Sequence, residues 1–233
     1  MLINKTITKQ CINCGCDFDT EEVVFLDRKI TFQKQCDTCI TVITEKRERE
    51  EERQRTEQRD KEFWSMVPKI YQTTDESQIS PKLKTAISEW KYGPIGLGFK
   101  GPSGSQKTRA SVLLLHSLHK GGRSVFYLKA TNLTKNAVEA FSDDKAIKKH
   151  ALESIRHATE CQVLLLDDIG KGRLSPSAEE SLYALLDTRT ENMLPTIWTT
   201  NADSSQLHDM MSEDRADAIM RRLIEFSKII TTQ

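Results

Sequence analysis

The sequence lacks an excess of either charge, a long apolar run and a signal peptide, and each absence removes a class of protein. Lysine plus arginine and aspartate plus glutamate are equal at 34 each, so no net field attracts the whole molecule to nucleic acid. No apolar run approaches the roughly eighteen residues that a membrane-spanning helix needs, and the first residues contain no signal-peptide core. We therefore expect a soluble, cytoplasmic protein with no membrane partner, in which any DNA contact comes from a local patch.

A glycine is also missing from an otherwise complete phosphate-binding motif. Residues 101–108 are Gly-Pro-Ser-Gly-Ser-Gln-Lys-Thr, whereas the motif G-x-x-x-x-G-K-[ST] has glycine where Gln106 stands. Backbone N–H groups of such a loop surround phosphates, Lys107 would reach the outer phosphates, and Thr108 would reach Mg²⁺. Glutamine puts a side chain where glycine permits close approach and positive φ. Nucleotide binding is still predicted, but tight binding and fast turnover are left open.

A second segment, about sixty residues later, supports the same kind of site. The apolar residues 163–166 predict a buried strand that ends in Asp167 and Asp168. Carboxylates at a strand end can hold Mg²⁺ and polarise an attacking water. A glycine-rich turn with a solvated lysine would account for the first segment alone, but it does not explain the acidic pair. The two segments together predict a P-loop nucleoside triphosphatase.

Cysteine is scarce beyond residue 39, where only Cys161 occurs, and we interpret Cys161 as a small buried hydrophobic residue. Two C-x₂-C pairs separated by 21 residues can complete a tetrahedral Zn²⁺ site, formed by Cys11, Cys14, Cys36 and Cys39. Short strands predicted over residues 22–26 and 29–32 give the outline of a zinc ribbon. Two disulfides are the alternative, which a cytosolic location disfavours. Cys16 is a spare thiol or an alternative ligand.

The segment that follows is rich in charges of both signs. Residues 45–62 hold seven basic and eight acidic side chains, often with opposite charges four residues apart, as in Glu45 and Arg49. Such pairs stabilise a solvated helix, and because no apolar stripe is present, a helical spacer of roughly 27 Å is favoured over a DNA-binding arm. We therefore divide the chain into a zinc-ribbon module (1–43), a charged helical linker (44–66) and a P-loop ATPase domain (67–233).

From about residue 69 the pattern alternates between strands and helices, which implies a parallel, doubly wound α/β sheet. Strands are predicted over residues 95–100, 124–130, 162–166, 195–200 and 228–232. Helices are predicted over residues 107–120, over the polar stretch 132–159, from Pro176 behind the cap Ser175, and at 220–224.

The order of the motifs resembles the DnaC/DnaI-type AAA+ ATPases, which are bacterial and phage helicase loaders with IstB-type transposition helpers as close kin. The resemblance covers roughly residues 66–233 and rests on Leu-Leu-Leu-Asp-Asp-Ile-Gly at 164–170, Thr-Thr-Asn at 199–201 and Arg-Arg-Leu at 221–223. It implies a five-stranded parallel P-loop AAA+ core, and the short chain, like phage-encoded members, leads us to expect no lid domain. The zinc-bearing module resembles that of DnaI-type loaders in kind.

The resemblance also implies a role for each matching residue. Asp168 would be a catalytic carboxylate, Asn201 the polar residue that positions water, and Arg222 the arginine finger of a neighbouring subunit's site. ATP and Mg²⁺ would be bound by Gly101, Pro102, Ser103, Gly104, Ser105, Gln106, Lys107, Thr108, Arg109 and Asp167. Some assignments have alternatives: Asn201 could cap a turn, and Arg222 could be an ordinary solvated residue. Alternative fingers are Arg221 and Arg215, and Arg189 would be a helix-face cation or an intersubunit contact.

The function implied by the resemblance is ATP-dependent loading of a replicative hexameric helicase onto single-stranded DNA during DNA replication. Subunits would assemble head to tail as an ATP-dependent homo-oligomer, and the zinc ribbon would hold the helicase. Hydrolysis of ATP would be Mg²⁺-dependent and slowed by Gln106. One alternative is a transposition helper that contacts a transposase and duplex DNA. Another is a non-hydrolysing P-loop module that displays the zinc ribbon.

Overall fold

The computed structural model describes residues 3–25, 28–31, 33–170 and 172–232. The chain divides into two compact units, Met1–Gln58 and Arg59–Gln233, which are described in turn. Within the described residues, no helix is both long enough and apolar enough to cross a membrane.

The first unit contains an antiparallel sheet of three strands, β1 (Ile3–Gln10), β2 (Asp17–Phe25) and β3 (Arg28–Thr31), in the order β1-β2-β3. Strand β1 was not predicted, and β2 begins earlier than predicted. Residues 26, 27 and 32, which the predicted strands and their turn include, lie outside the described residues. Helix α1 (Asp37–Met66) starts at the second cysteine pair, and its exposed ion pairs include Glu45 with Arg49.

The second unit is a parallel sheet with helices on both faces. It includes the last turns of α1 and two short 3₁₀ turns, Lys69–Tyr71 and Glu76–Gln78. The strands are β4 (Gly96–Lys100), β5 (Val125–Lys129), β6 (Val163–Ile169), β7 (Thr196–Thr200) and β8 (Ser227–Thr231). The remaining helices are α2 (Pro81–Glu89), α3 (Lys107–Lys120), α4 (Ala130–Glu139), α5 (Lys145–Glu160), α6 (Pro176–Glu191), α7 (Ser204–Asp209) and α8 (Glu213–Glu225). The strand order β5-β6-β7-β4-β8 confirms the predicted five-stranded parallel P-loop core.

Alternation along the strands produces two apolar layers, one on each face of the sheet. In β6, Leu164 and Leu166 belong to the layer that includes Trp198, whereas Val163 and Leu165 belong to the other. Successive side chains of a strand point to opposite faces, so a strand covered on both sides is apolar throughout. The buried carboxyl end of this strand carries the predicted acidic pair.

The helical stretch predicted over residues 132–159 consists of two helices, and the sequence pattern did not predict the break between them. Helix α4 ends at Glu139, and α5 begins behind Asp144, whose carboxylate accepts hydrogen bonds from the backbone N–H groups of Ala146 (2.8 Å) and Ile147 (3.2 Å). Aspartate is favoured at such a cap because it satisfies N–H groups that have no partner within the helix. The turn therefore separates two amphipathic helices.

Candidate nucleotide site and cysteine cluster

The phosphate-binding loop connects β4 to α3 and uses three residues with positive φ. Gly101 (φ +153°), Gly104 (φ +82°) and Gln106 (φ +64°) all lie in this region of conformational space. Gln106 precedes the first turn of α3 in the left-handed conformation, and its side chain makes no capping hydrogen bond. The loop thus keeps the backbone form that the motif requires. The replacement of the motif's glycine by Gln106 destabilises the loop, because a non-glycine residue in the left-handed conformation stores about 1–3 kcal/mol of strain.

Gly101 also allows the end of β8 to approach the loop. A Cβ at this position would lie 2.2 Å from Thr232 Oγ1, so no other residue fits without displacement. The hydroxyl of Thr232 lies 2.6 Å from Ser105 Oγ. The backbone N–H of Thr232 donates to Lys100 O at 2.7 Å. Thr232, which directly follows β8, therefore supports the phosphate loop through these contacts.

Lys107 is buried at the start of α3, with 6 % of its surface exposed. Its Nζ donates to Gly101 O (2.8 Å), Pro102 O (2.7 Å) and Ser105 Oγ (3.1 Å). Desolvation lowers the pKa of Lys107, while the charges of Asp168 and Asp167 oppose that shift. The ammonium group is thus held among loop oxygens beside the acidic pair.

Asp167 is almost fully buried, and three hydroxyl groups hold its carboxylate. Thr108 Oγ1 and Thr199 Oγ1 donate to its Oδ1 at 2.8 and 2.7 Å, and Tyr127 OH donates to its Oδ2 at 2.8 Å. Burial, followed by the charge and hydrogen bond of Asp167, raises the pKa of Tyr127, so the phenol remains a donor. The hydroxyl of Thr108 and the carboxylate of Asp167 are oxygen donors in contact, the type of pair that Mg²⁺ prefers.

Asp168 follows in a strained conformation with φ +65°. Its backbone N–H donates to Thr199 Oγ1 at 2.8 Å, and Asn201 Nδ2 donates to its Oδ1 at 3.3 Å. Lys129 Nζ lies 3.9 Å from its Oδ2. Positive φ in a non-glycine residue is concentrated at functional sites. The ends of β5, β6 and β7 therefore converge on this carboxylate.

These groups surround one cavity of about 340 Å³. Seven of the ten residues predicted to bind nucleotide and metal line it: Ser103, Gly104, Gln106, Lys107, Thr108, Arg109 and Asp167. Asp168 and Asn201 also line it. Gly101, Pro102 and Ser105 of the loop are not among its described lining residues, and their oxygen atoms contact Lys107 Nζ.

Sequence reasoning missed six further lining residues, which are Pro68, Ile70, Tyr71, Tyr127, Lys129 and Thr199. Lys129 was within reach of prediction, because it lies near the end of the strand predicted over residues 124–130, and the carboxyl ends of parallel strands form the site in such folds. The residues from Pro68 to Tyr71 carry no motif, and only the tertiary fold brings them to the cavity.

Arg222 is not among the described residues that line this cavity. Its Nε donates to Asp187 Oδ1 at 2.8 Å, its second nitrogen also contacts Asp187, and its guanidinium lies 4.6 Å from the Tyr183 ring centre. The alternative fingers are paired too, Arg221 with Glu225 and Arg215 with Glu180. In this conformation each of the three candidate fingers has an acidic partner within its own chain.

Arg189 was expected to be a helix-face cation or an intersubunit contact, and both expectations were wrong. It is 1 % exposed, and it donates to backbone oxygens of Ala158 (2.9 Å), Cys161 (2.8 Å) and Pro195 (2.6 Å). Burial lowers the pKa of Arg189 and raises that of the adjacent Cys161 thiol. The prediction that Cys161 is a buried hydrophobic residue fits its 8 % exposure.

The four cysteines predicted to bind metal lie together in the first unit. The sulfur atoms of Cys11, Cys14, Cys36 and Cys39 all lie within 4.8 Å of one another. Cys14 Sγ and Cys36 Sγ are 3.6 Å apart, close to the roughly 3.8 Å that a tetrahedral site with bonds of about 2.3 Å requires. Four thiols in this arrangement form a donor set that fits Zn²⁺.

Solved structures that are similar to this chain include those of DnaI and of the DnaC helicase loader. The structure of DnaI has a TM-score of 0.58 at 21 % identity and covers 72 % of this chain and 95 % of its own. The DnaC helicase loader has a TM-score of 0.54 at 21 % identity and covers 71 % of this chain and all of its own. At these identities the likeness establishes the fold.

Sequence comparison gives the family. An ATP-binding protein of insertion sequence IS232 from Bacillus thuringiensis subsp. berliner is 27 % identical over 135 residues, which are 57 % of this chain and 51 % of the relative. The chain thus spans about half the length of the curated relatives that it matches. The family described as IstB-like ATP binding protein matches residues 89–233, more than half of the chain and all of the phosphate loop, acidic pair and Asn201. The protein belongs to the IstB-like ATP-binding proteins.

Proposed function

We propose that the cavity binds ATP with Mg²⁺ and hydrolyses it. The observation that supports this proposal is that three residues from separate segments line a single cavity of about 340 Å³: Lys107, Asp168 and Asn201. The loop N–H groups and Lys107 bind the phosphates, as the positive end of α3 favours anions. Tyr71 and the exposed Ile70 provide an apolar wall for the base.

Thr108 and Asp167 would hold the Mg²⁺ ion, which would neutralise charge on the phosphates. Asp168 accepts a proton from the attacking water, and the amide of Asn201, already directed at Asp168, fixes the position of that water. Lys129 balances the charge of Asp168 until nucleotide enters. The ends of β5, β6 and β7, at which Lys129, Asp168 and Asn201 lie, need not move for these roles.

Replacement of Lys107 tests this assignment. Lys107→Ala should weaken Mg²⁺-ATP binding at least about tenfold, since a buried cation that contacts phosphate contributes more than about 1.4 kcal/mol. Lys120→Ala, at the exposed far end of the same helix, is the matched control. Equilibrium titration with a fluorescent ATP analogue measures both variants. Equal affinity of the two variants would refute phosphate binding at this loop.

The proposed biological role is ATP-dependent loading of a replicative hexameric helicase onto single-stranded DNA. It is supported by the fold shared with DnaI and the DnaC helicase loader, and by a cysteine-bearing unit separate from the ATPase unit. ATP binding assembles subunits head to tail, and Arg222 leaves Asp187 to reach the γ-phosphate of the neighbour. The first unit, with Zn²⁺ bound by its four cysteines, holds the helicase.

A transposition-helper role is the second candidate, and the match to an insertion-sequence ATP-binding protein favours it. The two roles differ in partner and in DNA. Full-length protein immobilised with ATP should capture purified replicative helicase of the same organism and promote its binding to single-stranded DNA. Lys107→Ala is the control in which capture is retained and loading is lost. Capture of a transposase and preference for duplex DNA would establish the second role instead.

A further inference from the structure

A fifth thiol lies against the cysteine cluster. Cys16 Sγ is 3.1 Å from Cys14 Sγ, and both side chains are exposed. The chain has six cysteines, and the sixth, Cys161, is buried in the ATPase unit next to Arg189. The four-sulfur site therefore has one more potential ligand than it needs, located beside the more exposed end of the first cysteine pair.

The backbone around Cys16 already has the form of a metal-binding turn. Gly15 N–H donates to Cys11 O at 2.9 Å, and Cys11 N–H donates to Cys16 O at 2.8 Å. Gly15 has φ +74°, which lets the chain reverse so that Cys14 and Cys16 point the same way. Cys11 and Cys16 are also spaced as C-x₄-C, which lies within the C-x₂₋₄-C range of known zinc ligands.

We propose that Cys16 is a reserve metal ligand that replaces Cys14, so that Zn²⁺ alternates between two four-thiolate sets. This inference rests on the proposed zinc site. In the exchange, the Cys16 sulfur forms a bond to the metal and gives up its proton, while the Cys14 sulfur loses its bond and takes up a proton. The charge and the number of ligands at the metal are unchanged by the exchange.

The exchange has a consequence for the other cysteines. Cys39 lies in the first turn of α1, and the proposal gives it no substitute. Loss of Cys14 should be tolerated, and loss of Cys39 should not. Cys14 is thus the replaceable ligand of the site, and a thiol remains available at the surface of the first unit while zinc stays bound.

Full-length protein and four variants test the proposal: Cys14→Ser, Cys16→Ser, the double variant Cys14→Ser/Cys16→Ser, and Cys39→Ser. After purification under reducing conditions, metal analysis should find about one zinc per chain in the parent, Cys14→Ser and Cys16→Ser. The double variant and Cys39→Ser should lose zinc at least about tenfold faster to a competing chelator. A Cys14→Ser protein that loses zinc as fast as Cys39→Ser would overturn the proposal.

Cobalt substitution gives a second readout that separates replacement from binding by three thiolates. Cys14→Ser loaded with Co²⁺ should keep the absorption intensity of a four-sulfur site, while the double variant should show a three-sulfur spectrum or no binding. A three-sulfur spectrum for Cys14→Ser would overturn the proposal even if zinc were retained. Absence of zinc and cobalt binding in the parent protein would instead refute the zinc site itself.

Discussion

Gln106 holds a backbone conformation at φ +64° that most residues avoid, at the N-terminus of the helix behind the phosphate loop. The side chain of Gln106 makes no capping hydrogen bond, and the strain lies in the backbone of the loop. Strain that is the same with and without ligand lowers stability and leaves affinity unchanged. The glutamine is therefore compatible with a working site.

Replacement of Gln106 by glycine should stabilise the protein and alter ATP affinity little. Relief of about 1–3 kcal/mol of strain, less about 0.5–1 kcal/mol for the greater freedom of unfolded glycine, predicts a gain near 1 kcal/mol. Met193→Gly is the matched control, because Met193 also has positive φ (+54°) but lies in an exposed turn and is not among the described residues that line the cavity. Urea unfolding followed by tryptophan fluorescence reports on the second unit, which contains Trp64, Trp90 and Trp198. A tenfold tightening of ATP binding would show that the strain arises on binding.

Replacement of Asp167 and replacement of Asp168 should have different effects, the first on nucleotide binding and the second on turnover. Asp167→Asn should weaken Mg²⁺-ATP binding at least about tenfold, because a metal ligand acts in the ground state. Asp168→Asn should keep affinity within about threefold and lower kcat about a hundredfold, since a proton acceptor contributes in the transition state. Titration and steady-state kinetics measure the two effects. Equal losses of affinity without a separate loss of kcat would contradict these roles.

At the scale of elements, Arg189 joins α6 to the end of α5, to Cys161 just before β6, and to the start of β7. From α6 it donates to the carbonyl groups that end α5 and to Pro195 O and Thr196 Oγ1 beside β7. Carbonyl groups at a helix C-terminus carry partial negative charge, so they can replace a carboxylate as partners of the guanidinium. The residue therefore fixes the start of the strand that carries the acidic pair.

Arg189→Lys should lower the free energy of unfolding by about 3 kcal/mol. Lysine cannot reproduce the planar set of donors, and buried acceptors left unpaired cost about 1–3 kcal/mol each. Arg156→Lys, in an exposed ion pair with Glu160, is the control and should change stability by less than about 0.5 kcal/mol. Tryptophan fluorescence in urea measures both. A loss below about 1 kcal/mol would show that water or other donors replace the guanidinium.

At the scale of the whole molecule, the proposed function needs more than one chain, because Arg222 must act on another subunit's nucleotide. Lys107→Ala and Arg222→Ala proteins should each lack ATPase activity. Their equimolar mixture should recover several times the summed activity, since some interfaces then join an intact Lys107 site to an intact Arg222. Arg221→Ala mixed with Lys107→Ala is the control, and thermal unfolding checks that loss of the Asp187 pair leaves Arg222→Ala folded. A mixture no more active than the sum of its parts would contradict the finger.

Local pattern determined much of the architecture. Apolar segments that alternate with helical ones predicted the five parallel strands, because a strand buried on both faces, such as β6 over residues 163–166, is apolar along its buried length. Helix α3 occupies the predicted range, and Ser175 and Pro176 start α6 as cap and first residue. Where the pattern was weak, prediction failed: strand β1 is polar in composition, and the break before α5 depends on one aspartate cap.

The sequence by itself determined the phosphate loop, the acidic pair, the Thr-Thr-Asn segment and the four clustered cysteines, because each is a short motif whose spacing fixes its local geometry. Only the tertiary structure decided that Tyr71 lines the nucleotide cavity, that Asp187 holds Arg222, and that Arg189 is buried. These contacts join residues far apart in the chain, and their side chains carry no periodic or local signal. Packing of the elements, which no single segment encodes, creates them.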